Sequence, residues 1–113
     1  EAAEFRRDLG ALEGGTEAVL ERARELLGLL TFFTAGEKDT RAWSLPIGGT
    51  ALQAAGRIHT DIEHGFIRAE VIDWQKLLEF GTHAEARKKG QLRQEGKTYV
   101  VQDGDVINVL FKV

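Results

Sequence analysis

Cysteine and methionine are both absent from this 113-residue chain, and proline occurs once. Without cysteine there can be no disulfide and no thiolate metal site, which suits a reducing compartment. No apolar run approaches the roughly 20 residues a membrane-spanning helix needs, and no signal peptide opens the sequence. The strong positive excess of a dedicated nucleic-acid binder is lacking too. Residues 1–30 carry seven acidic and four basic side chains, whereas residues 31–113 carry eleven of each. No G-x-x-x-x-G-K-[ST] loop is there to cradle a phosphate, and no G-x-S-x-G elbow to present a nucleophile. No pair of carboxylates stands out as an acid–base couple. On its own the chain reads as something other than an enzyme.

What is present suits one globular domain with an appendage. Hydrophobic residues make up 42% and aromatics 8%, enough for a modest core. The missing methionine, with Glu1 in first place, suggests a piece of a longer protein.

The first 28 residues read as two helical pieces joined by a turn at "GALEGG". The second is the clearer, with Thr16 placed to cap it, Ala18, Val19, Ala23, Leu26, Leu27 and Leu30 at helical spacing, and Gly28 as a C-cap. Two short β-rich runs follow, "LLTFFT" (29–34) and "TRAWSL" (40–45), close enough to form a hairpin. After "PIGG", "TALQAAGRIHTD" predicts a helix capped by Thr50, with Leu52, Ala55, Ile58 and Ile62 on its inner face. In "GFIRAEVI" the alternation puts Ile67, Ala69 and Val71 on one side, Arg68 and Glu70 on the other. A polar helical stretch comes next, then two strands, "TYVV" and "VINVLFKV", joined by the turn signal "QDGD". This order predicts an α+β fold: a ubiquitin-like β-grasp of four to five strands around one main helix, preceded by two short helices.

One stretch invites a sharper reading. "IHTDIEHGF" (58–66) gathers His59, Asp61, Glu63 and His64, every one a possible metal ligand or proton carrier. Two helical histidines that share a metal normally sit four apart. His59 and His64 are five apart, about 140° around a helix, and Gly65 stops the helix beside His64. His83 is the one other histidine available. The better reading is a helix-to-strand junction, with basic Arg57, His59 and His64 complementing a helix C-terminus and Asp61 and Glu63 bonding loop amides. "GTAL" could hold one anion on helix-start amides, but a tight turn into a helix explains the same residues.

Three stretches together carry a family likeness: "TFFTAGEKDTRAW", "GRIHTDIEHGFIRAEVI" and "YVVQDGDVI". Residues 26–113 closely resemble the C-terminal part of the Obg-like ATPases, the YchF subfamily of P-loop GTPases. That part is their TGS domain, named for threonyl-tRNA synthetase, GTPases and SpoT-type enzymes. The resemblance implies a β-grasp over residues 29–113, and that residues 1–28 are the end of a nucleotide-binding domain lying mostly outside this chain. It implies ATP or GTP with Mg2+ for the longer protein, no cofactor or catalytic residue in this chain, a cytoplasmic location, and association with ribosomes or RNA rather than DNA or a membrane. The basic residues exposed by pattern are the candidate contacts: Lys38, Arg41, Arg57, Arg68, Arg87, Lys88, Lys89 and Arg93. Trp43 and Phe66 could stack on bases, though core packing is the simpler role for Trp43. "SLPIGGTALQAA" departs mildly from the family pattern at Pro46 and Leu52. A rival reading is a protein-binding β-grasp with no nucleic-acid contact, favoured by the even charge of residues 31–113.

Overall fold

A computed structural model describes residues 15–35 and 40–112. Helix α1 spans Gly15–Leu27, with Thr16 as its second residue rather than its cap. It ends at Gly28, whose positive φ of 69° is easy only for glycine and lets the chain turn into the sheet. The first of the two helices expected lies outside the described residues. Strands β1 (Leu29–Ala35) and β2 (Thr40–Pro46) form the expected antiparallel hairpin, in register from Leu29↔Pro46 to Ala35↔Thr40. Two helices follow, α2 (Ala51–Ile58) and α3 (Thr60–His64), and then β3 (Phe66–Asp73). Helices α4 (Trp74–Phe80) and α5 (His83–Lys88) lead to β4 (Arg93–Glu95) and β5 (Asp105–Phe111).

The five strands form one mixed sheet in the order β2-β1-β5-β3-β4, with β5 parallel to β1 and antiparallel to β3. This is the α+β, β-grasp arrangement that the order of elements predicted. Both sheet faces are covered, which explains the mixed apolar character of its strands. Leu30, Phe32, Leu45, Val71 and Ile107 meet Ala51, Ala54 and Ala55 of α2 on one face. Phe33, Ile72 and Val106 meet Ala86 of α5 on the other, with Trp74, Leu77 and Phe80 beside them. Among the described residues no helix is long and apolar enough to cross a membrane.

Three details differ from the pattern reading. "TYVV" is not a strand. Val100 makes a single bridge with Thr50, and the N–H groups of Ala51 and Val101 bond to Tyr99 and Gly49 carbonyls, so the segment braces the start of α2. The strand in that part of the chain is "RQE" on the sheet edge, too short and polar to show a period. Ile67 faces solvent instead of the core. The pairing slips between Phe66 and Arg68, a bulge that turns Phe66 inward in its place.

Candidate functional site

The histidine-rich stretch is a joint. Helix α2 stops at His59, whose extended backbone (φ −168°, ψ 145°) serves both as the C-cap of α2 and the N-cap of α3. His59 Nδ1 accepts the Asp61 N–H at 3.0 Å, which fixes its tautomer as a capping acceptor. Asp61 and Glu63 do not take the loop amides expected of them. The Asp61 carboxylate lies 3.7 Å from His59, and that of Glu63 lies against Gly56 in α2. Gly65 then closes α3 through its N–H to Asp61 O at 3.0 Å. Among the described residues no three His, Asp or Glu side chains converge as metal ligands. A zinc titration followed by calorimetry is expected to show no stoichiometric binding, and a saturable one-site isotherm would reverse this reading.

The helix start at "GTAL" has no amides to spare for an anion. Ala51 and Leu52 give their N–H groups to Tyr99 O and Lys97 O. Gln53 N–H goes to Thr50 Oγ1, while Gln53 Oε1 takes the Thr50 N–H, a reciprocal capping box. Pro46 O accepts the Gly49 N–H in the turn between β2 and α2, so the departure at Pro46 is absorbed there.

The eight basic candidates do not make one patch. Lys38 lies outside the described residues. Arg41 and Arg57 stand at the β2 edge, where Arg57 Nε donates to Ser44 O at 3.2 Å. The other five gather near the opposite edge, around β3, α5 and β4, and most are occupied. Arg68 Nε donates to Gln94 Oε1 at 2.9 Å. Arg87 makes a two-pronged contact with Glu70, Nη2 to Oε1 at 2.7 Å and Nε to Oε2 at 3.3 Å. Arg93 lies 5.5 Å from the centre of the Tyr99 ring and 3.7 Å from Asp105. Lys88 is 76% exposed and 3.9 Å from Glu85, a contact too loose to hold it. Lys89, the exposed C-cap of α5, stands next to it.

The residues that organise this end of the sheet are two buried carboxylates that alternation alone assigned to solvent or to a turn. Glu70 receives Arg87, Asn108 Nδ2 at 3.0 Å and Gln94 Nε2 at 3.4 Å. The Arg87 hydrogen bonds outweigh burial and hold its pKa down from 4.5 to about 2. Asp105 accepts the Tyr99 hydroxyl at 2.6 Å and the Gln102 N–H at 2.9 Å. Burial, aided by this bond to a carboxylate, pushes the Tyr99 phenol up to about 12. His83 Nε2 is buried without a hydrogen-bond partner among the described residues, and burial together with nearby Arg87 pushes its pKa down. The signal for Glu70 was a lone carboxylate inside the run "AEVI", where both sheet faces are covered. Of the two aromatic candidates, Phe66 is buried, and Trp43 lies stacked on Phe32 with its Nε1–H given to Thr34.

A model for the C-terminal region of YchF GTPases, described as a protein of unknown function (DUF933), matches residues 29–112. The chain belongs to the YchF family. It is 49% identical over 110 residues to the ribosome-binding ATPase YchF of Escherichia coli O157:H7, covering 97% of this chain and 30% of that protein. Identity to the ribosome-binding ATPase YchF of Bacillus subtilis is also 49%, over 109 residues, covering 96% of this chain and 30% of the relative. The chain thus spans 30% of the length of these YchF proteins. Its fold superposes on the Schizosaccharomyces pombe YchF GTPase with a TM-score of 0.77 at 30% identity, over 97% of this chain and 30% of that one. A GTP-binding protein from Pyrococcus horikoshii shares the fold at TM-score 0.59 and 23% identity, over 87% of this chain and 25% of that one.

Proposed function

We propose that this chain is the C-terminal, partner-facing region of a cytoplasmic ribosome-associated nucleoside triphosphatase. The observation that carries the proposal is near half identity, over almost the whole chain, to proteins named ribosome-binding ATPases. In this reading residues 29–113 are the TGS domain and residues 1–28 belong with the nucleotide-binding domain, where ATP or GTP with Mg2+ would be bound. The exposure of α1 supports that division. Its described side chains are all exposed, including Leu26 at 75% and Leu27 at 72%, an apolar surface that suits burial against more protein. A cavity of about 340 Å³ opens between α1 and the sheet, with exposed Ile47 and Val100 among its lining residues. Contact with the nucleotide-binding domain there would couple nucleotide state to the sheet.

For the ribosome contact we assign Lys88 and Lys89, exposed at the end of α5, where the ion pair of Lys88 with Glu85, at 3.9 Å, is long and solvated. Arg87 and Arg93 are left out of this assignment because each lies beside a buried carboxylate. Charge reversal of Lys88 and Lys89 together is expected to weaken co-sedimentation with purified ribosomes and to flatten the log–log salt dependence by about 2, one unit per lost phosphate contact. Unchanged pelleting would remove both lysines from the contact. If the folded, unsubstituted chain fails to pellet, docking belongs to other parts of the longer protein.

A further inference from the structure

The β2 edge is a second interaction surface, and its backbone can be read from the register. Ile47 N–H donates to Gly28 O at 2.8 Å, one step beyond the Leu29↔Pro46 pair. Hydrogen-bonded and non-hydrogen-bonded pairs alternate along an antiparallel ladder. Leu45, Trp43 and Arg41 therefore turn their N–H and C=O groups toward β1. Ser44, Ala42 and Thr40 turn theirs outward, and the contact of Arg57 with Ser44 O agrees with this. Pro46 has no N–H, so the usable edge ends there. What remains is a three-residue ladder with small exposed side chains.

A cation reaches this edge, since Arg57 donates to Ser44 O. Neither "TRAWSLP" of β2 nor "ALQAAGRI" of α2 contains an acidic residue, and each contributes one arginine. Glu63 lies against Gly56, the residue before Arg57. Arg57 blocks the edge by occupying its Ser44 acceptor, a common protection against unwanted strand pairing. A neutral strand would have to displace it without compensation. A carboxylate offers Arg57 a stronger, charge-assisted bond and frees Ser44 O for the incoming strand.

We propose that the β2 edge binds an extended acidic segment of a partner protein as an added strand, with Arg57 moving from Ser44 O onto a carboxylate of that segment. Main-chain bonds to Ala42 and Ser44 supply the pairing, and Arg57 selects for acid. The sheet order puts this edge and the β4 edge beside Lys88 and Lys89 at opposite ends, so the two contacts are separable.

The test is a titration of the isotopically labelled chain with a synthetic eight-residue peptide alternating threonine and glutamate, beside one alternating threonine and lysine. Amide shifts and slowed exchange are expected at Thr40, Ala42 and Ser44 with the acidic peptide, which should bind at least about tenfold tighter than the basic one. Arg57→Glu should invert that preference. Ala42→Pro should weaken binding about tenfold by deleting one outward N–H while leaving the pairing with β1 in place. Absence of shifts along residues 40–46 at millimolar acidic peptide would overturn the proposal. So would equal affinity for the two peptides. Ribosome pelleting by Ala42→Pro should match the unsubstituted chain, so failure of the lysine contact and failure of the edge give different results.

Discussion

Alanine at Gly65 is expected to destabilise the protein by about 2 kcal/mol, the cost of forcing a methyl group into a filled site. A Cβ at this position would run into the carbonyl oxygen of Lys112. That oxygen is backbone, not the far end of a flexible side chain, and the same two residues are tied by Lys112 N–H to Gly65 O at 2.9 Å. The C-terminal end of β5 would have to swing away, losing that bond and straining the adjoining Phe66↔Phe111 pair. For a domain of this size the loss corresponds to a melting temperature lower by roughly 8–16 °C. Thermal unfolding of Gly65→Ala beside His64→Ala would measure it. A Gly65→Ala shift no larger than that of the exposed histidine would mean that the two backbones do not confine each other there. The backbone at Gly65 has a φ of −91°, so close approach rather than conformational freedom is what requires glycine. The motif that resembled a metal site is thus organised around the residue in it that has no side chain.

The second large effect is expected at Arg87, and it should depend on pH. Because the folded-state pKa of Glu70 is depressed, its stabilising contribution is complete above about pH 4.5 and drains away as pH falls toward about 2. In Arg87→Ala the largest cause of that depression is gone and burial is left opposing charge. Urea unfolding at a series of pH values should show the variant far less stable at neutral pH, with a smaller loss of stability toward acid. The two proteins should converge as pH approaches 2. Glu70→Gln should lose most of the acid transition that Arg87 controls. Curves for Arg87→Ala and the unsubstituted chain that stay parallel from pH 2 to 7 would show that the pair does not set acid stability. Ribosome binding by Arg87→Ala must be compared at equal folded fraction, since a fall in pelleting could otherwise report unfolding alone.

Which features were legible in the sequence follows from how local their causes are. The capping box at Thr50 and Gln53, the glycine after α1 and the hairpin over residues 29–46 each depend on residues within a few positions of one another. The "DGD" turn is equally local, with Gly104 at φ 87° and its backbone against the Trp74 ring. Most of the failures involve partners far away in the chain. Glu70 alternates as a solvent residue should, and only the arrival of Arg87, Gln94 and Asn108 from three other elements makes it a buried one. Ile67 loses its core position to a bulge set by β5. "TYVV" has high β propensity, but the nearest backbone with unpaired groups is the start of α2, so a bridge forms there instead of a strand. Basic residues on a sequence do not announce which of them already have a carboxylate. Arg87 beside Glu70 and Arg93 beside Asp105 are two such residues.

The strand at the middle of the sheet, β5, is the last of the five described strands to be made during synthesis. Until Asp105–Phe111 leaves the ribosome, β1 and β3 have no common neighbour, and neither core can close, Phe32 with Val71 on one face or Phe33 with Ile72 on the other. Joining strands more than 70 positions apart also requires closing a long loop, which slows folding. The sheet therefore stays open to chaperones and proteases until this strand is available, and deleting Asp105–Phe111 should cost the whole sheet rather than one edge of it.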